Sequence, residues 1–220
     1  PAPADWGWAI AAGISGAIGV TALYRGLAMR AAAIVAPTAA VVGAAVPVAA
    51  GLVVEGLPSL AQALGFATGS LGIWLVSASP GLGFGERRQS LWLAIGAGIF
   101  IGGFLVMIAQ VSDANVFGPL AIAKATGTLV AVLVLLSMRT AMPSLTAHPL
   151  ALLAGVLDAG GNVLFVLSSR FIRLDVAAVL SAMAPAMTVV LSAAIVREAV
   201  SRWQVLGVLL CLSAIVLLAL

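Results

Sequence analysis

Polar residues in this chain fall in short clusters, and long apolar blocks run between them. A helix needs about 20 apolar residues to cross the hydrocarbon core of a bilayer. Eight blocks reach that class: Trp6–Leu27, Ala31–Val54, Ser59–Ser77, Leu91–Gln110, Phe117–Met138, Pro149–Ser169, Val176–Val196 and Trp203–Leu220. None alternates with the period of a barrel strand, so the pattern predicts an all-α, polytopic membrane helix bundle. Pro80–Ser90 is the clearest linker and separates three helices from five. Its Gly81, Gly83 and Gly85 fit neither phosphate-loop spacing, and no strand precedes them.

The apolar blocks repeat. An offset of about 142 positions carries Gly13 onto Gly155, Gly19 onto Gly161, Gln62 onto Gln204 and Gly65 onto Gly207. One position out of that register, Glu55 meets Glu198. Five crossings separate matching helices, and five is odd, so the copies are expected to run in opposite directions. That is an inverted repeat, with its site near the mid-membrane between the halves. The expected organisation is residues 1–79 as the last three helices of a first unit, 80–90 as linker and 91–220 as a five-helix second unit. The counterpart of Leu91 falls about 50 residues before Pro1, an expectation that eight of ten helices are in hand.

Composition sharpens this picture. Hydrophobic residues make up 63% of the chain and charged ones 8%, against about 25% charge in soluble domains. Most of the surface must therefore face lipid. The net charge of +3 comes from scattered arginines, without the basic face that nucleic-acid binding needs. Seven arginines (Arg25, Arg30, Arg87, Arg88, Arg139, Arg197 and Arg202) fall on one membrane face, and Arg170 and Arg173 on the other. The positive-inside rule makes the richer face cytoplasmic. One cysteine (Cys211) and one histidine (His148) exclude an internal disulfide and leave no expectation of a metal site, catalytic residues or a cofactor. Trp6, Trp8, Trp74, Trp92 and Trp203 sit near span ends, where their rings anchor at the headgroups. Gly65–Gly69 and Gly98–Gly102 are GxxxG pairs, suited to helix packing in the bundle or in a homodimer.

Ionisable groups at membrane depth are costly and persist where they pair or line a cavity. Asp158 is central in its span, and Lys124 lies roughly 10 Å into the fifth. Asn162 follows Asp158 by one helical turn, on the same face. Lys124 suits an anionic substrate group, and Asp158 suits an amine or a coupling proton. Ser15 is the near counterpart of Asp158 in the early copy, and Tyr24 is the other expected cavity residue. Pro37, Pro47 and Pro185 lie inside spans, where each removes a backbone donor and is expected to bend its helix for gating. Glu55 and Glu198 are expected turn residues, and Gln110, Asp113 and Asn115 solvated ones.

Leu150-Ala-Leu-Leu-Ala-Gly-Val-Leu-Asp158, then Ser181-x-x-x-Pro185-x-x-Thr188, then Glu198 and Gln204-x-x-Gly207, follow one another in the late copy. Tyr24-Arg25, Val35-Ala-Pro37, Val46-Pro47, Glu55, Pro58, Gln62 and Gly65 follow in matching order in the early one. The chain resembles EamA-type members of the drug/metabolite transporter superfamily over nearly its whole length. It departs from the family pattern at Val54-Glu55-Gly56, at Arg197-Glu198-Ala199 and at Val42-Gly43. The resemblance implies ten helices in two inverted five-helix repeats, export or exchange of small metabolites or drugs, and cytoplasmic termini, the last against the arginine count. It also implies a basic residue five positions after a proline, where Lys124 follows Pro119.

The expected function is a multi-pass secondary transporter in the cell membrane. It moves a small-molecule substrate by alternating access among membrane lipids, with protons as a coupling ion. The alternatives are a membrane enzyme acting on lipid-linked substrates, and a truncated protein that does not transport.

Overall fold

The computed structural model describes residues 3–28, 32–54, 56–77, 87–111, 116–137, 139, 149–191, 194 and 201–218. Arg30, Glu55, Glu86, the linker glycines, Asp113, Asn115, His148, Arg197 and Glu198 lie outside them. The described residues form helices α1 (Pro3–Ala28), α2 (Ala32–Val54), α3 (Leu60–Ser77), α4 (Arg87–Ala109), α5 (Phe117–Ser137), α6 (Pro149–Ser168), α7 (Leu174–Ala182), α8 (Ala184–Leu191) and α9 (Arg202–Leu218). No strand occurs among them. Four are long and apolar enough to cross a membrane over Asp5–Ala28, Gln89–Ala109, Phe117–Ser137 and Pro149–Ser168, and shorter apolar helices accompany them. The chain is thus a polytopic helical bundle.

The span expected as one helix from Val176 is two. It starts at Leu174 and breaks at Met183, two residues before Pro185. The Met183 amide turns back to the Leu180 carbonyl at 3.2 Å, a tighter turn than the α-helix, because proline has no N–H to continue the ladder. By contrast α2 runs without interruption through Pro37 and Pro47. Helices α3 and α9 begin alike. Ser59 and Gln62 close a reciprocal capping box at 3.1 Å in both directions, and Ser201 and Gln204 close another at 3.0 and 3.2 Å. Each box satisfies two amides that a helix start would leave unpaired.

Helix α1 packs between α4 and α5, α2 on α4 and α7, and α3 along α9. Small residues set the spacing. A Cβ on Gly98 would lie 2.6 Å from Val42, and one on Gly102 2.7 Å from Val46. A Cβ on Gly65 would sit 2.9 Å from Leu218, and one on Gly207 2.7 Å from Val76, a contact shifted by the same offset at both ends. Lipid contact offers apolar side chains nearly as much as protein contact does, so close backbone approach is what holds such helices together. Both GxxxG pairs are therefore used within one chain.

Two apolar clusters result. Phe104, Ile108, Leu120, Phe165 and Ala178 belong to the first, and Ile73, Val76, Val179, Met183 and Cys211 to the second. Helix α7 contributes to both. Helix α6 is different: it touches α5 and α7, and Leu150, Leu153, Val156, Leu157 and Leu164 stand exposed.

Candidate functional site

Two charges meet between α5 and α6. Helix α5 carries Lys124 as its eighth residue, and α6 carries Asp158 as its tenth of twenty. Lys124 Nζ donates to Asp158 Oδ2 at 2.5 Å. Asn162, one turn on, donates from Nδ2 to the Asp158 carbonyl at 2.8 Å and to its Oδ2 at 3.3 Å. The second contact fixes the amide beside the carboxylate and leaves Asn162 Oδ1 free for a donor. Lys124 Nζ also lies 5.7 Å from the centroid of the Phe104 ring, within cation–π range.

Backbone packing fixes where Lys124 points. Gly13 of α1 lies against the Ala123 carbonyl, and Gly16 lets the Phe104 ring approach to 3.2 Å of where a Cβ would be. Ala123 and Phe104 are buried, so α1, α4 and α5 form a fixed wall behind the ammonium group. The carboxylate side is open: the Asp158 side chain is 66% exposed and that of Lys124 37%. Asp158 lies on the side of α6 that carries Gly155 and Gly161, neither of which has a neighbour within 4 Å. Chemically, the pair presents one cation, one anion, one amide oxygen and an aromatic face at membrane depth. It can take a substrate anion on Lys124, a cation or a proton on Asp158, or exchange the internal ion pair for both.

The other sequence-derived candidates lie elsewhere. Ser15 is buried, and its hydroxyl donates to the Phe100 carbonyl at 2.7 Å, tying α1 to α4. Tyr24 stands exposed near the end of α1. Pro47 is fully buried in α2, and Pro185 adjoins the α7–α8 break. Gln110 reaches back to the Val106 carbonyl at 3.4 Å. Among the described residues no group of three or more His, Cys, Asp or Glu is placed to hold a metal ion.

Phe104 and a second ion pair are additions that sequence reasoning missed. Phe104 follows a run of glycines at 98, 102 and 103, and an aromatic ring next to a small-residue stripe was the available signal. The ion pair joins Arg173 to Asp175 at the start of α7. Its signal was an acid one residue before the expected span, two after an arginine counted only for topology.

Residues 88–220 match the model of the EamA-like transporter family. No curated protein matches the chain.

Proposed function

Because this chain belongs to the EamA-like transporter family, and is a multi-pass membrane transporter of small molecules, we propose that it is a secondary transporter working by alternating access. The observation that carries this reading is the Lys124–Asp158 ion pair deep in two membrane-length helices. A charge pair of that kind is expensive at such depth unless it serves a polar path. Lys124, Asp158 and Asn162 form the substrate-contacting group, with Phe104 as its aromatic wall. Asp158 takes the amine of a substrate or the proton that couples transport to a gradient. Ser15 is a helix tie beside the path, and Tyr24 lines its mouth. Pro185, beside the α7–α8 break, supplies the bend that a rocking bundle needs, whereas Pro37 and Pro47 sit in an unbroken α2 and are proposed only as points where it can flex.

The halves are proposed to be inverted repeats, residues 1–79 and 91–220 joined by the 80–90 linker. Support comes from the two capping boxes and from the Gly65–Leu218 and Gly207–Val76 contacts, all related by the offset of about 142. Under that symmetry α6 is the counterpart of α1. Helix α1 is flanked by α4 and α5, so the open side of α6 is the place for an equivalent helix pair. The cell membrane is the proposed location. A homodimer would use surfaces other than the two GxxxG pairs.

Flux in proteoliposomes across a panel of amino acids, organic acids and amines, with and without a proton gradient, tests the function. Gradient-dependent uptake of one class supports it, and no flux from folded protein across the panel counts against it. Lys124→Ala is expected to weaken uptake of anionic substrates about tenfold or more, since it removes a charge-assisted hydrogen bond, while neutral ones change little. Competition uptake measures this. An unchanged panel would assign Lys124 to interface snorkelling instead.

A further inference from the structure

We propose that Arg173 and Asp175 form a one-sided latch with the Gly56 carbonyl, holding α2 to α7 at one membrane face and biasing which way the transporter opens. The proposal rests on the alternating-access reading above.

The Asp175 carboxylate is fully buried. Arg173 grips it with two parallel bonds, Nε to Oδ1 at 3.1 Å and Nη2 to Oδ2 at 2.9 Å. The Val176 amide adds a third at 2.8 Å. From the same fork, Nη2 also donates to the Gly56 carbonyl at 3.0 Å, across 117 residues of sequence. Gly51 brings α2 against this pair: a Cβ there would meet the Asp175 side chain at 3.0 Å. Gly56 has a φ of +81°, a left-handed conformation that lets the chain turn out of α2. The planar arginine fork is suited to holding a carboxylate and one further acceptor at once.

Burying an ion pair costs desolvation energy that its Coulomb attraction only partly offsets, so stability alone is a weak reason for one. A pair that joins two packed elements is better placed as a switch. The pair itself lies at the start of α7, and the further Arg173 bond to the Gly56 carbonyl ties α7 of the later half to the chain just past α2 in the earlier half. The repeat offset makes the one-sidedness plain. It carries Asp175 onto Ala33, with no acid between Arg30 and Val54, so the early copy has no carboxylate to match; Arg173 falls one position from Arg30, which lies outside the described residues. At its other end α8 packs on α3 and α9. Inverted halves would otherwise give two states of similar energy, and an interaction present in only one shifts the balance toward it.

Distances between spin labels test this on the whole protein in lipid nanodiscs, in a Cys211→Ala background. Leu57→Cys and Phe171→Cys are exposed positions that report on the latch face, and Trp74→Cys and Leu150→Cys report on the opposite one. The Arg173→Gln/Asp175→Asn double variant removes both charges of the pair together. It is expected to raise the long-distance population at the latch face about tenfold from a per-cent level. Arg173→Lys keeps the charge but loses the fork, and is expected to give a smaller shift of the same sign. It serves as the test if the double variant does not fold. An unchanged latch-face distribution in folded protein overturns the latch. A latch face that opens while the opposite pair shortens supports both latch and alternating access. A latch face that opens while the opposite pair stays fixed supports the latch and removes alternating access.

Discussion

Asp158→Asn is expected to lower gradient-driven flux about 100-fold while leaving membrane insertion and thermal stability near those of the parent. The size follows from the site. Asp158 is the single acceptor of the Lys124 ammonium among the described contacts, and it also takes a bond from Asn162. A hydrogen bond to a charged group is worth about 1.5–3 kcal/mol, and about 1.4 kcal/mol is one power of ten. The fold survives because asparagine keeps the volume and an acceptor oxygen, and the lysine stem is long enough to carry its charge toward water. Counterflow exchange separates the two roles of Asp158. If it carries the coupling proton, exchange at zero gradient persists while accumulation is lost. If it binds the substrate amine, both fall together. Parental flux in both assays would remove Asp158 from the mechanism.

How much of this was legible in the sequence depends on the interaction involved. Span positions were readable because bilayer thickness imposes a length on apolar runs, and α6 ends one residue from its expected limit. Lys124 and Asp158 stood out because a charge at that depth must pair or line a cavity, and the structure brings these two together. The effect of each proline was not uniform. Pro185 adjoins a break, whereas α2 continues unbroken through Pro37 and Pro47 while packed on α4 and α7. Ser15 illustrates a different point. Its place beside the repeat counterpart of Asp158 suggested the cavity, and its hydroxyl donates to the Phe100 carbonyl across the α1–α4 interface, a partner that only the fold could reveal. The Arg173–Asp175 pair was hidden for another reason. Charges at span ends are ordinarily solvated, and only the approach of Gly51 shows that this carboxylate is enclosed.

Gly13→Leu is expected to lower the melting temperature in detergent by about 10 °C and to reduce flux with it, whereas Gly155→Leu in the same 220-residue chain moves the melting temperature by less than about 2 °C. The two glycines hold the same place in the repeat, so side-chain chemistry and helix propensity cancel in the comparison. What differs is the neighbour. A Cβ at position 13 runs into the Ala123 carbonyl and comes within 2.8 Å of Thr126, so α1 and α5 must separate. Overpacking of that kind costs about 1–3 kcal/mol and more when backbone must move. The displaced segment includes Lys124, directly after Ala123, so the ion pair to Asp158 shifts as well. At Gly155 nothing lies within 4 Å, and leucine has open space. Differential scanning fluorimetry of the two variants beside the parent decides the matter. Equal destabilisation would mean that the open side of α6 is in close contact with other protein, and that Asp158 and Lys124 face an enclosed cavity. A neutral Gly13→Leu would undo the account of how α1 positions Lys124.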